Sequence, residues 1–559
     1  MIAILRGGFC FLLFILPMVY AAQVAPRMYA IVFKDKHLSP YSLDAPQAYL
    51  SERAIERRQR QAITIDSLDL PVNENYLEAI GQFGSTTIKY TSRWMNAAVV
   101  FVLDTTVIDS IRQLPMILDM RKLPLAADLA TISKDEVGPS DRSELSGMNV
   151  DEVEDFYGDS YHQIAMMRGQ LLHAMGYTGQ NMQIAVLDSG WEKADVLSVF
   201  DRLRNEGRLM GTRDFVFEQN DPVYHTSSHG TAVWSIMGGF TQGELVGSAY
   251  GASYYLIRTE NPGSEHIAEE WNWVAGAEYA DSMGVDVINS SLGYSQFDWS
   301  QQDHTYSDMD GQTTIASRGA DIAASRGILV VNSAGNSGDD PWRYITAPSD
   351  ADSVLAIGAT WPDGAVAWFS SRGPSADGDV KPNVSAQGVG VVFAATDSTF
   401  RSGNGTSFSA PLISGLAACL WQAFPTATNM QILRAIEHSS HLYRTPNDDL
   451  GYGIPDFWRA YEILSGISGD ASGLDATLWP NPSSGQCTIE CNNWDAAHIE
   501  WQVLDAVGRL VVSDKETLAQ SGQAIIRLKL DEVQDGVYFV HLMSGDRHSV
   551  LPWCISNSQ

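Results

Sequence analysis

Positive charge is in short supply in this sequence: 36 Lys and Arg stand against 67 Asp and Glu, a formal net charge of −31 at pH 7. That balance argues against nucleic acid as a partner and against adhesion to anionic membranes, since both need a cationic surface. It names no substrate, because acidity mainly reports solubility. Cysteine is scarcer still, five in 559 residues, too few for a disulfide-stapled scaffold. No His/Cys set has the spacing of zinc ligands. Beyond the first twenty or so residues, no segment is long and apolar enough to span a bilayer.

What is present is an ordinary globular composition, 45% hydrophobic and 18% charged, in a chain long enough for three or four domains. Residues 1–21 carry Arg6, an apolar stretch over 9–20 and the small-residue pattern Val19-Tyr20-Ala21. This reads as a secretory signal peptide that takes Cys10 with it. The mature protein is then exported, and soluble or attached by other means. Cys419 falls in the apolar run 412–424, where a buried small hydrophobe is expected. Cys487 and Cys491 lie four apart in a strand-like run and share one face. A disulfide involving Cys554 and a reduced set both remain open.

Along the chain, 27–34 reads as a strand, 49–61 and 74–82 as helices, 87–90 and 97–103 as strands, 107–112 as helix and 116–121 as strand. That order predicts a small α+β domain over 22–126. Arg53, Arg57, Arg58 and Arg60 are expected on the solvent side of its first helix. Residues 127–156 are acidic and aperiodic, an exposed linker that holds a processing site. From 157 to 465, short apolar strands at 183–188, 253–258, 285–290, 328–333 and 354–359 alternate with helical patterns at 267–283 and 316–326. Such alternation predicts an α/β fold with a doubly wound parallel sheet and sites beyond the strands' carboxyl ends. A Gly/Ser-rich linker at 466–474 leads into alternating runs over 475–559, a small all-β sandwich.

Three stretches carry chemistry. Asp188-Ser189-Gly190 ends a strand, His229-Gly230-Thr231 opens a helix, and Gly405-Thr406-Ser407 opens another. A serine at a helix start sits beside unpaired backbone N–H groups that stabilise developing negative charge. A neutral imidazole takes its proton, and a carboxylate on the other ring nitrogen fixes the tautomer. The order Asp, His, Ser is one of three unrelated triad orders. No Gly-x-Ser-x-Gly elbow surrounds Ser407, which disfavours an esterase of that type.

In this order the motifs resemble the subtilisin-like (S8) serine proteases, over 157 to about 465. The resemblance extends to Ser333-Ala334-Gly335-Asn336, to Ser290-Ser291-Leu292-Gly293, to Phe369-Ser370-Ser371-Arg372-Gly373-Pro374 and to Gly451-Tyr452-Gly453. It implies catalytic Asp188, His229 and Ser407, with Asn336 in the oxyanion hole. It implies substrate binding by Ser291, Leu292, Gly293, Ala334 and Gly335, with Thr346 near the base of the S1 pocket. Phe408 stands where Met is common in the family, Asn383 where Asp is, and Gln387 where Pro is.

The N-terminal block is similar to the family's inhibitory propeptides. The last block resembles the C-terminal sorting domains of type IX secretion in Bacteroidetes, on Leu478-Trp479-Pro480-Asn481-Pro482-Ser483-Ser484-Gly485, Gly508-Arg509-Leu510 and Gly536-Val537-Tyr538-Phe539-Val540. These resemblances imply an autoprocessed endopeptidase precursor that acts on proteins or peptides and carries its own intramolecular inhibitor. It would be exported through the periplasm of a Gram-negative bacterium to the surface or medium. No cofactor is required. Structural Ca²⁺ is an expectation, with Asp308-Met309-Asp310-Gly311 as a contributor. The alternative is a catalytically silent surface-binding protein on the same fold.

Overall fold

A computed structural model describes residues 27–123, 152–217, 223–465 and most of 475–555. The signal-peptide segment 1–21, most of the acidic linker 127–156 and the linker 466–474 lie outside the described residues.

The N-terminal unit holds strands β1 (Arg27–Phe33), β2 (Thr86–Ser92), β3 (Ala97–Val102) and β4 (Ile117–Leu123) with helices α1 (Glu52–Arg60), α2 (Glu74–Gly81) and α3 (Ile108–Arg112). The strands form one antiparallel sheet in the order β2-β3-β1-β4. Period-two alternation gives that sheet two apolar faces. Tyr29, Ile31 and Phe33 meet Ile80 and Ile111 of the unit's own helices. Met28, Ala30, Ala97 and Val99 instead join a core shared with the next unit.

The central unit contains α4 (Glu152–Tyr157), α5 (Tyr161–Ala165), α6 (Gly169–Ala174), β5 (Gln183–Asp188), α7 (Asp201–Asn205), β6 (Leu209–Asp214), α8 (His229–Gly238), β7 (Phe240–Thr241), β8 (Leu245–Val246), β9 (Ser253–Arg258), α9 (Ala268–Met283), β10 (Val287–Ser290), α10 (Ile315–Ser325), β11 (Leu329–Ser333), β12 (Val354–Thr360), β13 (Val384–Gln387), β14 (Val391–Ala394), β15 (Phe400–Gly403), α11 (Thr406–Ala423), α12 (Asn429–Ser439) and α13 (Phe457–Ser465). Seven strands form a parallel sheet in the order β13-β12-β11-β10-β5-β9-β6. Both faces are covered, so its inner strands read as continuous apolar runs. Ile184 and Val186 of β5 face α8 and α11, whereas Ala185 and Leu187 face the side of α9 and α10. Helix α4 occupies the last residues of the linker predicted over 127–156, where Phe156 packs edge-on against Tyr157, Phe240 and Tyr250.

The arginines of α1 do not face solvent as expected. Arg57 and Arg58 are buried against Asp281 of α9, joined there by Arg93. Arg53 and Arg60 both reach Asp286. The helix lies with its charged face on the central unit, a face that in isolation looks like any solvated one.

The C-terminal unit has β16 (Asp475–Trp479), β17 (Gln486–Asn492), β18 (His498–Asp505), β19 (Leu510–Thr517), β20 (Gln523–Lys529), β21 (Gly536–Ser544) and β22 (Arg547–Ile555). They form antiparallel sheets β16-β17-β20 and β19-β18-β21-β22 over one apolar core. Cys487, Ile489 and Cys491 share the inner face of β17. Pro552 sits on β22, at the edge of its sheet, where a missing donor costs least. Phe539 of β21 stacks on Trp458 of α13, centroids 4.9 Å apart and 7° from parallel.

Candidate active site

Asp188 is the last residue of β5, at the sheet's carboxyl edge, and its side chain is fully buried. A carboxylate taken out of water must be met by donors. The Ser189 amide donates to Oδ1 at 2.7 Å, and His229 Nδ1 lies 2.9 Å from Oδ1 and 3.0 Å from Oδ2. Carboxylate oxygens only accept, so Nδ1 carries the proton and Nε2 is the ring's basic edge. His229 is the first residue of α8, and its backbone N–H donates to Ser227 Oγ at 3.2 Å.

Ser407 is the second residue of α11, whose cap is Gly405. Its Oγ donates to the Ser291 carbonyl at 3.3 Å, and Ser291 Oγ donates to the Ser407 carbonyl at 2.9 Å. This exchange ties the nucleophile's turn to the segment that follows β10. Asn336 follows β11, and its Oδ1 accepts from Thr406 N–H and Thr406 Oγ1, both at 2.9 Å. Engaging the oxygen leaves Nδ2 as the group turned to the site. A Cβ built on Gly405 would stand 3.7 Å from Ser407 N and 3.8 Å from Asn336 Nδ2. Two donors thus bracket one small space, kept open by a residue without a side chain.

His229, Ser407, Asn336, Ser291, Leu292 and Gly293 line one cleft of about 610 Å³. Ala334 is fully buried and Thr346 is 5% exposed, both behind that lining. A Cβ on Gly293 would fall 2.1 Å from Thr346 Oγ1 and one on Gly335 3.1 Å from it, so Thr346 stands against both glycines. Asp188 touches the cleft through His229.

Other lining residues carried no sequence signal: Glu260 and Glu265 on the loop after β9, and Phe393 and Arg401 on the β14–β15 hairpin. Thr406, which fixes Asn336, was legible only as part of the Gly-Thr-Ser motif. The expected calcium contributors are engaged in their own turns. Asp308 closes a capping box with Thr305, and Asp310 accepts from the Gln312 and Thr313 amides. Among the described residues, carboxylate oxygens gather within 4.8 Å at Glu260, Glu265 and Glu269 and at Asp352, Asp377 and Asp379. Glu269 accepts the Asn261 and His266 amides, as a loop-bracing residue does.

The side chains gathered here are of the types that can activate a serine hydroxyl and donate to an oxyanion. Residues 28–136 match the Peptidase S8 propeptide domain of Bacteroidota, and 477–555 the secretion system C-terminal sorting domain. Subtilisin E of Bacillus subtilis is 30% identical over 281 residues, 50% of this chain. The chain spans 65% of that relative's length, less than two thirds. A thermostable alkaline protease of Halalkalibacterium halodurans is 28% identical over 291 residues, 51% of this chain and 69% of the relative. The subtilisin of Bacillus pumilus is 30% identical over 281 residues, 50% of this chain and 90% of that protein. With residues 179–454 also matching the profile of the Subtilase family, and the parallel sheet beneath them, the chain belongs to that family.

Proposed function

We propose that this chain is the precursor of a secreted serine endopeptidase. The observation that carries the proposal is the Asp188–His229 pair opening on the same cleft as Ser407 and Asn336. Ser407 Oγ attacks the peptide carbonyl carbon while His229 Nε2 takes its proton. Asp188 holds the tautomer and stabilises the imidazolium. The oxyanion forms between Asn336 Nδ2 and the Ser407 N–H. His229 then gives its proton to the departing amine, and water repeats the sequence on the acyl-enzyme. Ser291, Leu292 and Gly293 run beside the substrate backbone, and Ala334, Gly335 and Thr346 close the S1 pocket. With no carboxylate among those six, apolar or aromatic P1 residues are preferred. Hydrolysis by this set draws on no organic cofactor.

The N-terminal propeptide domain acts as an intramolecular inhibitor until it is cut away. The sorting domain indicates export with release or surface attachment, and passage through the periplasm is the route we infer for it. Labelling by a serine-directed phosphonate tests the reading. The processed protein should take up one equivalent at Ser407 and lose peptidase activity in step. A processed protein that neither labels nor hydrolyses peptides would favour a silent binding role.

A further inference from the structure

The two hydrogen bonds from His229 to Asp188 hold only one edge of the imidazole. The working edge, Nε2, must face Ser407 and then the leaving amine, and no bond to Asp188 restrains its swing. What lies against the ring's face is Phe408, the residue after the nucleophile. Its centroid is 6.3 Å from that of His229, with the planes 26° apart. Behind it Phe393 stacks at 5.1 Å and 27°. Three near-parallel rings therefore run from the catalytic imidazole into the β14–β15 hairpin. Such offset stacks are favourable at these separations.

The rear of the stack is firm. A Cβ on Gly403 would stand 2.8 Å from Phe393 Cε1 and 2.8 Å from Phe408 Cε2, so only glycine lets the two rings close. The hairpin is bound to the helix that carries His229, since the Ala394 amide donates to Ser235 Oγ of α8 at 2.9 Å. Phe408 itself rides on α11, the helix that carries Ser407. The stack thus links the two helices whose relative placement sets the distance from nucleophile to base. A methionine at 408, with three rotatable bonds, would fill the volume without fixing a plane, whereas phenylalanine has only two side-chain torsions.

We propose that Phe408 is a positioning residue for His229, with Phe393 and Gly403 as its support. This rests on the serine-protease reading, and the test separates the two. Phe408→Leu keeps apolar volume and loses the ring; Phe408→Tyr keeps the ring. On a peptide amide, Phe408→Leu should lower kcat roughly 10–100-fold with KM nearly unchanged, the size of loss that slight misplacement of a reacting group brings. Phe408→Tyr should stay close to wild type.

In parallel, proton NMR of the purified proteins should show the downfield Nδ1 proton of His229 sharp in wild type and Phe408→Tyr, and broadened in Phe408→Leu. Equal kcat for wild type and Phe408→Leu, or equal losses in both variants, would overturn the clamp. If the wild type is inert to peptides and phosphonate, the serine-protease reading fails and the NMR decides alone. Broadening confined to Phe408→Leu then supports the clamp, and unchanged spectra refute it.

Discussion

Gly405 offers the sharpest test at the scale of single residues, because the space it leaves lies between the two donors proposed for the oxyanion. An alanine methyl there would lie in ordinary contact with Ser407 N and Asn336 Nδ2 and would displace the oxygen they serve. Gly405→Ala and Asn336→Leu should each lower kcat by about 10²–10³ with little change in KM, a magnitude carried over from subtilisin's own side-chain donor. Unchanged turnover in steady-state assays would remove both from the oxyanion hole. A second residue should contribute to the pH dependence of stability. His173 is buried; its Nε2–H donates to the Ser248 carbonyl at 3.0 Å and its Nδ1 accepts from Tyr157 Oη–H at 2.8 Å. Burial holds its pKa down at about 4, against 6.5 for a free ring, with the Ser248 bond opposing. The unfolded chain therefore binds the extra proton first as pH falls. The stabilisation is complete above about 6.5 and is lost as pH drops through about 4, in total ~3 kcal/mol. Urea unfolding at pH 7 and pH 4.5 should show a shallower pH dependence in His173→Phe than in wild type. Parallel slopes would assign the acid sensitivity elsewhere.

At the scale of elements, α1 and α9 form the seam between the N-terminal and central units. Burial pushes the Asp281 carboxyl up, but Arg57, Arg58 and Arg93 together hold it down at about 2. Arg326 extends the seam to Asp69 at 3.0 Å and Asp66 at 3.1 Å, and Gln61 donates to the Gly327 carbonyl at 2.7 Å. Removing one partner of a buried pair leaves an uncompensated charge and costs ~3–5 kcal/mol. Asp281→Asn should therefore speed amide exchange along α1 by about 10²-fold or more. Because the Asp281 pair is stable above about pH 3.8 and fails only as pH falls through about 2, the protection factors along α1 in the wild type, corrected for the intrinsic pH dependence of exchange, should differ little between pH 7 and pH 5. Little of this seam was legible in the sequence, since four arginines on one short helix pattern alike against water or against a partner 224 residues away. Strand β5 was legible to the residue, because a fully buried parallel strand is an apolar run with clear ends. Strand β6 was not, for its Leu-Met-Gly-Thr-Arg-Asp lies at the sheet's open edge and is half exposed. Asp188, His229, Ser407 and Asn336 could be singled out as candidates because the proposed chemistry asks for particular residue types at element ends, and the structure pairs the first two and sets the last three on one cleft. The Phe393–Phe408 stack could not, as it depends on a hairpin closing against α8.

The whole molecule is three units joined by seams of opposite chemistry, and they should come apart differently. The N-terminal seam is ionic and hydrogen-bonded, with Tyr90 Oη donating to Asn272 Oδ1 at 2.7 Å and Ser92 and Arg93 serving Glu278. It also shares an apolar core, so it is continuous with the central fold. The C-terminal seam is small and aromatic: Tyr461, Trp458 and Phe539 stack in sequence, flanked by Leu171 and Leu504. Trp458 is further fixed by its Nε1–H, which donates to Glu462 at 2.7 Å, while burial pushes that carboxyl up to about 7. Phe539 belongs to this seam rather than to the sandwich core built by Cys487, Ile489 and Trp553. Phe539→Ala should therefore undock the C-terminal unit while leaving both neighbouring folds intact. The ring pair contributes about 1 kcal/mol beyond its burial, enough to raise the undocked population several-fold. Limited proteolysis should then cut between 465 and 475 several times faster in Phe539→Ala than in wild type, with peptidase activity and central-unit stability retained. An unchanged cutting rate would mean that the stack does not hold the C-terminal unit to the central one.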